Sequence, residues 1–179
     1  MRGKVTFREE QYFKYTWSWW VLLICTLIMV GGILYAFYIQ LYLGEPFGAH
    51  PASDTGLLII GVSTSVLMIG LMWLFQFMKL TVEIDEGSIR YSFFPFIRSF
   101  RSLQKWDVRK VVVRKYHPIA EYGGWGYRFR FRSGRALTVS GKWGLQLELA
   151  NGKQLLLGTQ KPDQMQEVVD RLKQNWGSE

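Results

Sequence analysis

Two stretches of the chain contain no charged side chain and no histidine, and they constrain the fold more than any other feature. They cover residues 17–43 and 56–78. The hydrocarbon core of a bilayer is about 30 Å thick, and an α-helix of roughly 20 apolar residues crosses it. Both stretches are long enough, so the sequence predicts two transmembrane helices. Residues 79–179 then leave room for one folded domain of ordinary size.

The distribution of charge predicts how these helices are oriented. The formal net charge is +8, yet the connector at residues 44–55 contains no Lys or Arg. The arm at residues 1–16 and the domain at residues 79–179 are both basic. Lys and Arg that flank membrane helices tend to stay on the cytoplasmic side. We therefore expect a multi-pass protein of the cytoplasmic membrane, with a cytoplasmic arm, an extracytoplasmic connector and both termini in the cytoplasm.

The pattern of the C-terminal domain changes from strands to a helix. Apolar and polar residues alternate along residues 80–85 and 88–93, as they do on strands. Asn151-Gly152 separates two further strand-like runs and predicts a β-hairpin. About seven strands are expected in all, which suggests a small barrel or sandwich. An apolar stripe with helical spacing closes the chain: Met165, Val168, Val169, Leu172 and Trp176. The predicted class is an α+β membrane protein, in which a helical hairpin precedes a barrel capped by a C-terminal α-helix.

Three segments of the domain carry a resemblance to a known family. The first runs from Trp106-Asp107-Val108 to Tyr116-His117-Pro118, and the second is the glycine-rich turn at residues 122–128. The third joins residues 140–147 to residues 158–162. Together they resemble the bacterial membrane-anchored pleckstrin-homology-like (PH-like) family. The resemblance covers most of residues 79–179 and implies a PH-like barrel at a membrane. Because the family is largely of unknown function, it implies no activity.

The resemblance also bears on lipid recognition. Eukaryotic relatives of this barrel bind phosphoinositides through a basic loop between the first strands. The corresponding turn here, Asp85-Glu86-Gly87, is short and acidic. Phosphoinositide binding at that turn is therefore not carried over to this chain.

Basic residues beside aromatic ones form the candidate site for anions or lipid headgroups. Residues 127–132 alternate aromatic and arginine side chains, so the aromatics are predicted to enter the core and the arginines to line the other face. Residues 93–101 form a second aromatic and basic run. Near an anionic leaflet each Lys or Arg contributes about 1 kcal/mol of attraction. The candidate residues are Arg128, Arg130, Arg132, Arg98, Arg101 and Lys105.

The alternative interpretation of these residues is structural. The arginines of residues 127–132 then form a solvated face that is partly paired with Glu121 or Glu148. The run at residues 93–101 is then an ordinary strand, turn and strand. The direction in which the arginine strand faces decides between the two interpretations.

The sequence contains few residues that are arranged for catalysis. It has two histidines, and its one cysteine, Cys25, lies in the first apolar stretch. His117 and Glu121 have the spacing of a base and its orienting carboxylate, but a surface histidine is the simpler interpretation. No metal-binding or nucleotide-binding motif is present. We therefore predict no enzyme activity, no catalytic residues, no cofactor and no metal.

The predicted function is to present a PH-like domain at the cytoplasmic face of the membrane. Its expected partners are the lipid bilayer, anionic lipid headgroups, other membrane proteins or a second copy of the chain. The positive-inside pattern accounts for the basic pI of about 9.7 without nucleic acid. The alternative is an accessory or scaffolding subunit of a membrane transporter or enzyme complex.

Overall fold

The computed structural model describes residues 5–131 and 134–177, which form two compact units. One unit is helical and covers residues 14–77. The other is a β domain formed by the chain up to Phe13 together with the chain from Met78 onward. The predicted α+β class is confirmed.

The helical unit contains the two predicted apolar helices. Helix α1 spans Trp17–Phe37 and continues as a π-helical segment, Tyr38–Tyr42. Helix α2 spans Asp54–Phe77. Both are long and apolar enough to cross a membrane. In the most apolar 18-residue segment of each helix, only 11% of α1 and 6% of α2 is buried. The core helix of a soluble protein would be largely covered, so this exposure favours a lipid environment for both helices.

A single glycine allows close contact between the two helices. At Gly61 of α2, a Cβ atom would lie 2.5 Å from Cζ of Phe37 and 2.9 Å from Cγ2 of Ile33. Both distances are too short for a real Cβ atom. Gly70, by contrast, has no atom within 4 Å of the same position. Small residues let membrane helices approach closely, and here Gly61 has that role.

The first sheet is built from strands that flank the helical unit in the chain. Its order is β1 (Val5–Tyr12), β2 (Lys79–Asp85), β3 (Ser88–Phe94) and β4 (Ile97–Gln104), with every neighbouring pair antiparallel. Strand β1 precedes α1, and β2 follows α2. The sequence predicted only an arm at residues 1–16, so this strand was not expected.

The second sheet holds the remaining strands. They are β5 (Val108–Lys115), β6 (Gly126–Arg130), β7 (Gly134–Thr138), β8 (Trp143–Leu149) and β9 (Gln154–Thr159). Their order in the sheet is β5-β8-β9-β7-β6. Strands β7 and β9 run parallel, and the other pairs are antiparallel. The predicted hairpin at Asn151-Gly152 is confirmed, because it joins β8 to β9.

Two helices complete the β domain. The short helix α3, Pro118–Tyr122, lies between β5 and β6, and α4 spans Pro162–Trp176. Helix α4 contacts β1, β5 and β8, so it touches both sheets. The predicted stripe is confirmed, because all five of its residues are buried.

The predicted closed barrel is not confirmed. Among the described residues the strands form two separate sheets of four and five strands, and hydrogen bonds do not close them into one barrel. The described part of the chain also contains nine strands rather than about seven. One of the additional strands is β1. Both sheets contribute apolar side chains that are fully buried, among them Leu80 and Phe93 from the first and Leu145 and Leu157 from the second.

A buried carboxylate joins β1 to the second sheet. Glu9 is 4% exposed. One carboxylate oxygen accepts a hydrogen bond from Thr159 Oγ1 at 2.6 Å, and the other accepts from the backbone N–H of Gln160 at 2.7 Å. Gln11 Nε2 donates to Glu9 at 3.1 Å and to the carbonyl of Gly158 at 2.7 Å. These bonds satisfy a charge that would otherwise be costly to bury.

Candidate functional site

Three of the six candidate basic residues lie on or just after one strand, but they are far apart along it. Arg98 lies near the start of β4, Arg101 lies opposite Tyr91, and Lys105 follows the end of the strand. All three are exposed. A strand rises about 3.3 Å per residue, so Arg98 and Lys105 are separated by roughly 20 Å. These residues do not form one compact anion site.

The arginines of β6 bind backbone carbonyls of nearby residues. Arg128 Nε donates to the carbonyl of Trp125 at 3.0 Å, and Arg130 donates to the carbonyl of Ala120. Both arginines are exposed and can still present part of the guanidinium group to solvent. Arg132 lies outside the described residues. The predicted arginine ladder on this strand remains a prediction.

The aromatic residues of the 127–132 run do not enter the core, so that prediction was wrong. Tyr127 is 36% exposed, Phe129 is 69% exposed and Phe131 is 96% exposed. The physical reason is the position of β6, which is the terminal strand of its sheet. The alternating pattern predicted which residues share a face, but it could not predict that this strand lies at an edge.

Tyr127 nevertheless belongs to an aromatic cluster with the turn between β3 and β4. Its ring centroid lies 5.6 Å from that of Phe96 and 6.3 Å from that of Phe93. The guanidinium carbon of Arg135 lies 5.5 Å from the Tyr127 centroid, within the range of a cation–π contact. The cluster therefore joins an aromatic surface to a cation that the sequence analysis did not single out.

The carboxylate expected to pair with the β6 arginines pairs with another residue. Glu121 Oε2 lies 2.7 Å from Arg114 Nη2, and Glu121 Oε1 accepts the backbone N–H of His117 at 2.8 Å. The hydrogen bond from Arg114, with a smaller contribution from the His117 backbone, holds the pKa of Glu121 below its ordinary value. The contact that joins Glu121 to His117 is a backbone contact at the start of α3, rather than a contact with the imidazole ring.

The glycine-rich turn after α3 depends on backbone angles that favour glycine. Gly123, Gly124 and Gly126 have φ angles of 73°, 120° and 111°. Side chains with a Cβ atom rarely adopt these values, so glycine permits the tight turn into β6.

A cleft of about 770 Å³ lies between the two sheets of the β domain. Residues 101–103 of β4 form one wall, and Phe129, Phe131 and Arg135 form another. The turn between β8 and β9 forms the third wall and contributes Lys153. Leucines from both sheets contribute apolar surface: Leu103, Leu149 and Leu155.

The charged side chains that line this cleft are all basic. Arg101, Arg135 and Lys153 line it, and none of its described lining residues is Asp or Glu. Tyr91 lines the cleft and is 5% exposed. Burial raises the pKa of Tyr91, while the positive charges of Arg101 and Arg135 act in the opposite direction. An anionic group placed here would therefore meet a positive field beside apolar surface.

Only Arg101 of the cleft was among the predicted site residues. Arg135 is the second residue of β7, and Lys153 follows the Asn151-Gly152 turn, where a solvated lysine is common. The strand order brings these two cations to the same cleft as β4, and no local sequence signal carries that order. Within the described residues, no group of three or more His, Cys, Asp or Glu side chains could hold a metal ion.

No protein-family model matches this chain, and no curated protein matches it.

Proposed function

We propose that this chain is a non-enzymatic membrane protein that anchors a β domain of PH-like type at the cytoplasmic face. The observation that carries the proposal is the pairing of β1 with β2 on either side of the two apolar helices. Tyr12 is the partner of Lys79 in this ladder. A domain connected in this way has two short attachments to the helical pair, and both attachments leave from the same end of one sheet.

The same connection limits the distance between the end of α2 and the turn that joins β3 to β4. Lys79 is two residues beyond the end of α2, and its partner on the next strand is Phe94. Two residues of chain reach about 7 Å, and neighbouring strands lie about 5 Å apart. The backbone of Phe94 is therefore within about 12 Å of the end of α2 for any orientation of the domain.

The residues of this turn suit contact with an anionic lipid surface. Phe94 is 40% exposed and Phe96 is 56% exposed, and Arg98 follows them on β4. Aromatic rings favour the headgroup region, and a cation gains about 1 kcal/mol near an anionic leaflet. That gain is lost beyond a Debye length of about 8 Å. Of the three candidate residues on or just after β4, Arg98 is the nearest to this turn along the strand, and Lys105 is the farthest from it.

A spin label tests the lipid contact in the full chain. Phe96→Cys and Glu86→Cys, each in a Cys25→Ala background, place a label in turns at opposite ends of β3. In nanodiscs that contain anionic lipid, the label at position 96 should be relaxed more strongly by oxygen, which partitions into lipid, than by a water-soluble nickel complex. The label at position 86 should show the reverse.

The outcome also separates the proposal from its alternative. Equal accessibility at both positions, with or without anionic lipid, would contradict the lipid contact. An accessory subunit would instead be extracted by mild detergent in a stable complex with other chains. Mass spectrometry of the purified material would identify those chains. Recovery of the chain alone would count against the accessory role.

A further inference from the structure

The two sheets of the β domain are covered along one pair of edges, and a cleft lies along the other pair. Helix α4 contacts β1 and β5, each of which is a terminal strand of its sheet. The opposite terminal strands are β4 and β6, and residues of both line the cleft of about 770 Å³. In the described part of the chain, neither β4 nor β6 has a strand partner on its outer side.

The edge of β4 is regular where it lines the cleft. Residues 101–104 keep a continuous register with β3, from Tyr91↔Arg101 to Ser88↔Gln104. The irregularity in this pair of strands falls earlier, between Tyr91 and Phe93. A bulge protects an edge against pairing, so its position leaves the cleft-lining part of β4 able to accept another strand.

The charges of the cleft define the chemistry of an occupant. Arg101 faces Tyr91 across the β3–β4 ladder, and Arg135 is held over the Tyr127 ring. Lys153 adds a third cation from the β8–β9 turn. With leucine and phenylalanine side chains beside them, these groups suit a ligand that carries carboxylates at intervals and also apolar or backbone surface.

We propose that the cleft binds an extended acidic segment of a partner protein, which adds as a strand to the exposed edge of β4. Backbone hydrogen bonds to residues 101–103 supply part of the affinity, as in other cases of strand addition. The carboxylates of the segment meet Arg101, Arg135 and Lys153. This inference names a partner for the proposed binding function, and it does not depend on the lipid contact at Phe96.

Edge arginines also have a simpler role, and the proposal must be distinguished from it. Charged residues on terminal strands discourage sheets from pairing edge to edge. If Arg101 had that role alone, its neutralisation would promote self-association of the chain without changing the affinity for an acidic peptide.

Fluorescence anisotropy of the full chain in an uncharged detergent tests the proposal with three labelled peptides. The first is a heptapeptide of alternating Glu and Val, and the second has the same charge but proline in place of its central valine. The third has Lys in place of every Glu. We expect the first peptide to bind at least about tenfold more tightly than the second, because proline removes a backbone donor and disfavours pairing. The third should not bind.

Matched arginine variants locate the site. Arg101→Gln should weaken the binding of the acidic peptide by about five- to tenfold, which corresponds to roughly 1 kcal/mol. Arg109→Gln removes the same charge from β5, which is a terminal strand of the second sheet and does not line the cleft. This variant should leave the affinity unchanged. Both residues are exposed, so both variants should fold, and circular dichroism checks this.

Several results would overturn the inference. Equal binding of the acidic and the proline peptides would indicate charge attraction without strand addition. Equal weakening by both arginine variants would indicate a general effect of net charge. No binding by any peptide, or displacement of the peptide by short-chain anionic phospholipid but not by neutral phospholipid, would exclude an acidic segment as the preferred occupant. None of these results would alter the spin-label test at position 96.

Discussion

Tyr12 and Lys79 are partners in one antiparallel ladder, although both apolar helices lie between them in the chain. The backbone N–H of Phe13 extends this pairing by donating to the carbonyl of Met78 at 3.2 Å. The helical pair is thus an insertion between two consecutive strands of a sheet. This relationship makes the first strand part of the β domain and gives that domain two covalent attachments.

Because the insertion begins and ends at paired residues, it should be removable. Replacing residues 14–77 by Asn-Gly would join Phe13 to Met78 through a two-residue turn that suits a β-hairpin. We expect this variant to remain in solution without detergent and to give a β-rich circular dichroism spectrum. An otherwise identical variant that begins at Met78 lacks β1 and should unfold at a lower temperature. Insoluble or unstructured material from the first variant would contradict the insertion.

Glu9 should be important for the stability of the β domain. Glu9→Ala removes the acceptor for Thr159, for the Gln160 backbone and for Gln11, and leaves buried donors unsatisfied. Hydrogen bonds to a charged group contribute about 1.5–3 kcal/mol, and an orphaned donor costs about 1–3 kcal/mol. We expect a loss of about 3 kcal/mol in the free energy of unfolding, measured by denaturant titration. Glu86→Ala, at an exposed turn, should change it by less than about 0.5 kcal/mol.

The carboxyl of Glu10 should make stability sensitive to acid. Hydrogen bonds from Arg8 and Tyr12, with a further contribution from Lys79, lower the pKa of Glu10 to about 2 from its ordinary value of 4.5. A carboxyl whose pKa is lower in the folded state stabilises that state above the unfolded pKa, and the effect disappears as the pH falls through the folded pKa.

The pH window for this effect is about 5 to 2. In the variant that lacks residues 14–77, thermal unfolding should lose more stability across this window with Glu10 present than with Glu10→Gln. The difference between the two curves isolates Glu10 from the other carboxylates. Parallel curves would show that the ion pairs of Glu10 do not persist in solution.

Gly61 should control the packing of the two helices. Gly61→Val introduces a side chain where Phe37 and Ile33 leave no space, and overpacking of this kind typically costs about 1–3 kcal/mol. We expect a lower thermal transition for the helical unit in detergent. Gly70→Val is the matched control, because the corresponding space is open. An equal response of both variants would show that the close contact at Gly61 is absent.

The sequence predicted the parts of the fold that have a strong local signal. The uncharged stretches became α1 and α2, the Asn151-Gly152 pair became a hairpin turn, and the helical stripe of Met165 to Trp176 became the buried face of α4. Each of these elements is specified by residues that are close together in the chain.

Features that depend on strand order were not predicted from the sequence. In β1, Glu9 and Gln11 occupy inward positions where an apolar residue would normally indicate a strand, and their partners at Gly158 to Gln160 are distant in the chain. In β6, the alternation of Tyr127 and Phe129 suggested a core face, because a pattern does not show that a strand is terminal. For the same reason the cleft that joins Arg101 to Lys153 was not expected.

Cysteine labelling of intact cells tests the central claim, that both helices cross a membrane and hold the β domain on the cytoplasmic side. In a Cys25→Ala background, Ala52→Cys places a thiol in the connector and Ser99→Cys places one on β4. The account predicts that a membrane-impermeant maleimide labels position 52 in intact cells and labels position 99 only after the cells are permeabilised. Labelling of position 99 in intact cells would contradict it.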